Sequence, residues 1–193
     1  MNQSSEKLLG ANNIFVRQVE KHAAILRQQI GIGPTDRVSP RELTEELGIQ
    51  IAYPDEIDQL TPEMRQRLLG LNAKIWSGIS DTLPDGRSLI ILNPNQTPER
   101  ENVTIMEEVA HRYYGHQPTQ LNRIGRDRYD EKTEQEAYWT AAAVLLPSKV
   151  VGQAIWSGKS ATTLADDYGT SVELAEMRIK TLNLWPYYKK QGA

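Results

Sequence analysis

The stretch Met106–His116, M-E-E-V-A-H-R-Y-Y-G-H, combines residue types and spacing that could do chemistry. At about 100° of turn per residue, Glu107 and His111 lie one helical turn apart on one face, flanked by Val103, Ala110 and Tyr114. A carboxylate and an imidazole then sit inside an apolar stripe. Burying them unpartnered is costly, so each needs a hydrogen-bond partner, an opposite charge or a metal ion. Glu108 points roughly a quarter-turn away.

Two ligands at i and i+4, with a glutamate beside the first, give the geometry of the H-E-x-x-H helix, which holds zinc and activates water. Here Glu107 stands where the first histidine would be. Carboxylate oxygen is an acceptable ligand for zinc and other divalent ions, so the site becomes harder and more anionic but is not abolished. The same residues admit a plainer reading. Glu108 and Arg112 can form an i, i+4 pair on an exposed face, with Glu107 one more surface charge. The surrounding elements must decide.

Those elements belong to a chain of 193 residues, long enough for one domain with a real core. Cysteine is absent, which excludes disulfides, thiolate metal sites and cysteine nucleophiles, and leaves His, Asp and Glu to hold any metal. The first residues lack a basic region followed by an apolar run, and no stretch of eighteen consecutive apolar residues occurs. A cytoplasmic protein with no membrane partner is expected. A net charge of −3 gives no basic footprint for phosphates, so direct nucleic-acid binding is not expected either.

Residues 1–12 read as a flexible tail. Phe15, Val19, His22, Leu26 and Ile30 mark one face of a helix closing at Gly31 or Gly33, with His22 at the edge of that face. Ser39-Pro40 with Glu42 starts a short helix ending at Gly48. Gln50–Tyr53 is a short strand, and a helical turn is expected around Met64–Leu69. Leu71–Ile79 and Ser88–Leu92 form an antiparallel pair joined through Pro84-Asp85-Gly86. Thr97 before Pro98 caps a helix over about Pro98–Tyr114 that ends at Gly115 and is apolar almost all round, as in an element buried between a sheet and other helices.

Residues 117–129 form a loop with Arg123, Arg126 and Arg128, read as a solvated basic segment. Thr133 and Glu136 match a capping box opening the next helix, which Pro147 stops. Its small residues Ala137, Ala141, Ala142 and Ala143 let another helix approach closely. If that neighbour is the helix of Glu107 and His111, Glu134 is placed as a third ligand. From Ser160 two short helices with a turn at Gly169 and a cap at Ser171 resemble a helix-turn-helix, whose second helix carries a mixed set, Glu173, Glu176, Arg178 and Lys180. Three regions are expected: the tail 1–12, a metallopeptidase-like core 13–150, and a C-terminal helical extension 151–193 packed on the core.

Together, the strand pair, the E-E-V-A-H-R-Y-Y-G-H helix and the later E-Q-E-A-Y-W-T-A-A-A-V-L-L-P resemble the ImmA/IrrE family of metallopeptidases over about residues 40–182. The resemblance implies an α+β fold: a helical N-terminal part, a small antiparallel sheet on a zincin-like active-site helix, and the C-terminal helix-turn-helix-like pair. It makes Glu108 the catalytic glutamate and His111 and Glu134 metal ligands, with Glu107 in the first ligand's place, in an E-E-x-x-H variant of the motif. Zinc is the first expectation for the cofactor, with manganese or iron as alternatives. His116 recurs in this form of the motif, but an ideal helix puts it about 180° from Glu107, so it joins the site only if the helix unwinds at Gly115, and a cap or loop contact is expected. Tyr114 and Tyr138 are both candidates to steady an oxyanion. Family members act on helix-turn-helix repressors or related regulators, which makes such a protein the expected partner and a metal-dependent endopeptidase the expected function. The competing expectation is an inactive protein-interaction module of the same fold, favoured by Glu107, because three carboxylates would crowd one ion.

Overall fold

The structure is a computed structural model that describes residues 13–70, 76–83, 85–116 and 131–190. The expected tail 1–12, the start of the expected strand at 71–75, Pro84 and the arginine loop 117–129 lie outside these residues. In chain order the elements are α1 (Asn13–Gln29), α2 (Pro40–Glu46), β1 (Ile49–Ala52), a 3-10 turn (Pro54–Glu56), α3 (Pro62–Leu69), β2 (Gly78–Thr82), β3 (Ser88–Leu92), α4 (Pro98–Tyr114), α5 (Glu131–Leu145), α6 (Ser148–Trp156), α7 (Ala161–Tyr168), α8 (Val172–Thr181) and α9 (Trp185–Lys190). Contacts divide the chain into two compact units, residues 39–138 and residues 1–38 with 139–193.

In the 39–138 unit the sheet order is β1-β3-β2. The expected antiparallel pair is β2 with β3, Ser80 opposite Ile90. β1 joins β3 in parallel, Ile51 opposite Ile90, so the sheet is mixed and not antiparallel throughout. Parallel neighbours need a crossover, and the residues between β1 and β3, carrying the 3-10 turn, α3 and β2, supply it. β3 is central. Leu89 and Ile91 join Ala52, Leu60, Leu68 and Ile79 in one core cluster, and strand alternation turns Ile90 and Leu92 to the opposite face. α4 packs against β2 and β3. All four residues from Leu89 to Leu92 are buried, which is why their apolar run is unbroken.

The boundaries of α4 follow from local chemistry. Thr97 Oγ1 accepts from the Arg100 amide and Pro98 takes the first helical position. Gly115, left-handed at φ 69°, ends the helix. Val103, Ile105, Met106, Val109 and Ala110 are buried along it, each large aliphatic being worth about 1.5–3 kcal/mol. Near its start, buried Glu101 accepts from Arg41 at 2.6 Å and from the Tyr53 hydroxyl at 2.8 Å, tying α2 and the end of β1 to α4. The expected capping box at Thr133 is not formed, because α5 already runs from Glu131 and Thr133 lies inside its first turn.

The other unit is helical. The helix-turn-helix-like pair is α7 and α8, with Ser160 and Ser171 as N-caps and Gly169 at φ 62° between them. The sequence signal that Pro147 stops a helix also marks the start of α6, since Pro147 is its N-cap. Arg178, one of the mixed charged set on α8, is 1% exposed. Its Nε donates to the Leu146 carbonyl at 2.9 Å and a terminal nitrogen donates to Glu20. Buried Arg27 donates to the Val144, Gly33 and Asp36 carbonyls. Two guanidinium groups therefore satisfy carbonyls at the C-terminal end of α5, where an unpaired carbonyl would be costly and a cation is favoured. Among the described residues no helix is long and apolar enough to cross a membrane.

Candidate metal centre

Glu107 and His111 leave α4 one turn apart, and Glu134 comes from the first turn of α5. Single donor atoms from these three side chains all lie within 4.8 Å of one another, and each residue is half-buried. His111 Nε2 stands 3.6 Å from Glu134 Oε2. Bonds of about 2.0–2.2 Å to a shared ion put donor atoms roughly 3–4 Å apart, so a small side-chain adjustment closes this group around a cation. The donor set, two carboxylates and an imidazole, suits zinc, manganese or iron.

Glu108, next to the group, turns toward β2. In β2, Ile79 enters the core cluster, so alternation turns Gly78 and Ser80 toward α4. The Ser80 hydroxyl donates to Glu108 Oε2. Gly78 gives the room this needs: a Cβ there would stand 2.5 Å from Thr104 Cγ2 and 3.4 Å from Glu108 Oε1. Arg112 donates to the Ser88 hydroxyl. With Glu107 and Glu108 half-buried, the exposed-face reading of these charges does not describe the helix.

The electrostatics of the group suit a cation. Burial first, then the neighbouring Glu108, pushes the Glu107 carboxyl up to about 7, against the pull of Arg100 and His111. Burial also raises the Glu108 carboxyl, opposed by the Ser80 hydrogen bond. For His111 burial disfavours the charged ring, but the hydrogen bond to Glu134 and the carboxylates of Glu108, Glu134 and Glu107 outweigh it and hold the imidazole above its usual value. Three carboxylates therefore crowd one imidazole in a partly desolvated place. A divalent cation would offset that repulsion.

Of the two tyrosines, Tyr138 is hydrogen-bonded to Arg100 beside Glu107, and burial raises its phenol above the usual range. Tyr114 stacks on His116 with ring centroids 5.2 Å apart. Sequence reasoning passed over Ser80 and Gly78, gave Glu136 only a capping role, and expected a cap or loop contact for His116. Because Gly115 turns left-handed, the His116 amide bonds back to the His111 carbonyl at 2.9 Å and its ring returns to the site, Nδ1 lying 3.0 Å from His111 Nδ1. The signal was Gly115 itself: a left-handed C-cap breaks the helical phase used to place the next residue. A cleft of about 250 Å³ borders Glu108 and His111, lined also by Ser80, Asp81, Thr82 and His116.

Residues 44–180 match the family model of the M78 peptidases, described as the IrrE N-terminal-like domain. The chain belongs to this metallopeptidase-type family, which implies a divalent metal. No curated protein matches the chain. Among solved structures, a Mycobacterium tuberculosis transcriptional regulator is similar with a TM-score of 0.52 at 12% identity, over 84% of this chain and 46% of that one. At that identity the likeness concerns the fold, and the present chain spans less than half the length of that regulator.

Proposed function

We propose that the chain is a metal-dependent endopeptidase of restricted specificity that cleaves or inactivates a helix-turn-helix repressor or related regulator. The observation that supports it is the convergence of Glu107, His111 and Glu134 from two helices, with Glu108 held beside them by Ser80. In this reading the three are the metal ligands, zinc is the ion, and Glu108 is the catalytic base. A bound divalent ion supplies polarisation of the scissile carbonyl and lowers the pKa of water toward about 7.

The remaining steps belong to the protein's own side chains. Glu108, already above the usual carboxylate range, takes a proton from the attacking water and returns it to the leaving amine. Ser80 fixes which Glu108 oxygen is occupied, leaving Oε1 to receive the proton. In this reading Tyr138, tied to Arg100 and interacting with Glu107, steadies the developing oxyanion.

The test pairs the purified protein with the repressor encoded nearest its own gene. Cleavage by the wild type, abolished by chelator and by Glu108→Gln, is the expected result. Equal loss of repressor function with wild type and Glu108→Gln, without a new fragment, would replace the enzyme by an interaction module of the same fold.

A further inference from the structure

We infer that His116 and Glu136 form a positioning pair that sets the tautomer of His111, so that His111 Nε2 presents a lone pair to the metal. The inference rests on the metal-centre reading above and adds two residues to it. An imidazole that ligates through Nε2 must carry its proton on Nδ1, and the partner of that proton fixes ring orientation and basicity. His111 Nε2 faces Glu134, while its Nδ1 is 3.0 Å from His116 Nδ1. Two facing Nδ1 atoms share one proton. If His111 donates, His116 must accept, and its own proton then sits on Nε2.

That nitrogen faces Glu136 Oε2 at 3.8 Å. A carboxylate can only accept, so Glu136 favours the tautomer of His116 that keeps Nδ1 open. The proton order this favours is His111 Nδ1–H donating to His116 Nδ1, with the His116 Nε2 proton turned toward the Glu136 carboxylate at 3.8 Å. The opposite arrangement would put a proton on His111 Nε2, toward Glu134, and block ligation. Three features hold His116 in place: the left-handed Gly115, the amide bond to the His111 carbonyl, and the stack on Tyr114. Glu136 lies on the same helix as Glu134, two positions on, so α5 supplies one residue toward the ion and another toward the ring behind it.

The experiment measures zinc affinity of chelator-stripped protein by competition with a chromophoric chelator, together with the histidine ring nitrogen spectrum of the zinc-loaded form. Wild type is expected to show His111 protonated at Nδ1 and bound through Nε2. His116→Ala should bind zinc about 10–100-fold more weakly, the usual effect of removing such a partner. His116→Asn, which returns an acceptor oxygen near the Nδ1 position, should recover most of the loss. Glu136→Ala provides the same comparison should His116→Ala fail to fold, with a weaker affinity and a shifted His116 tautomer expected. Wild-type affinity in folded His116→Ala or in Glu136→Ala would overturn the pairing, as would a His116 nitrogen bonded directly to zinc. Failure of wild-type protein to bind zinc is a separate outcome that removes the metal-centre reading and the pairing with it.

Discussion

Replacing Glu107 by Gln should stabilise the metal-free protein and weaken its response to metal. The folded-state carboxyl is pushed up from 4.5 to about 7, so the unfolded chain releases that proton first. Below pH 4.5 both states are protonated and the group costs nothing. Between pH 4.5 and 7 the folded state falls behind, and above about 7 the full penalty is present. At about 1.4 kcal/mol per pH unit this comes to roughly 3 kcal/mol. Glutamine has nearly the same shape and no charge to desolvate. In chelator at pH 8, Glu107→Gln should exceed wild type by up to that amount, about 6–12 °C in melting temperature for a chain of this length. At pH 4.5 the two should coincide. Zinc should reverse the order, because the wild type gains binding free energy that the variant has largely lost. Calorimetric melts at three pH values, with and without zinc, measure all of this. A variant no more stable than wild type at pH 8 in chelator would refute the reasoning, since Glu107 would then carry no uncompensated charge.

Other outcomes follow from single contacts. Glu108→Gln should retain metal, read by elemental analysis, while peptide cleavage falls by about 10²–10⁴-fold, the usual share of a general base. Gly78→Ala places a methyl group 2.5 Å from Thr104 Cγ2. Thr104 is buried, β-branched and hydrogen-bonded to Gln96 and the Arg100 carbonyl, so it yields little, and denaturant unfolding should show a loss of about 1–3 kcal/mol. Arg178→Ala leaves the Leu146 carbonyl without this donor and Glu20 with the Ser148 amide but no cation, and should cost about 3–5 kcal/mol in the same assay.

Much of the frame around the site is legible in local sequence. Thr97-Pro98 and Gly115 delimit α4 because caps and left-handed turns are set by neighbouring residues. The apolar run Leu89–Leu92 marks a strand covered on both faces, and the hydrophobic phase puts Glu107 and His111 on one side. What local sequence does not carry is pairing at a distance. The parallel partner of β3 is β1, some forty residues earlier, and nothing in Ile49–Ala52 specifies it. The described β2 starts at Gly78, later than the imperfect alternation of 71–79 implies, which is why Ser80 escaped notice beside Glu108. The buried guanidinium groups of Arg27 and Arg178 have carbonyls at the end of α5 among their partners, and such pairing at a distance is invisible to a residue-type pattern although arginine is seldom buried without it. For His116 the outcome depends on whether the helix ends at Gly115, which helical phase does not decide; the left-handed Gly115 ends it and returns the ring to His111.

The most direct test of the metal centre is anomalous diffraction from crystals of zinc-loaded protein. The expected result is a single strong peak about 2 Å from oxygens of Glu107 and Glu134 and from His111 Nε2. A protein that takes up no zinc, or a peak held by other residues with these three side chains unliganded, would contradict it.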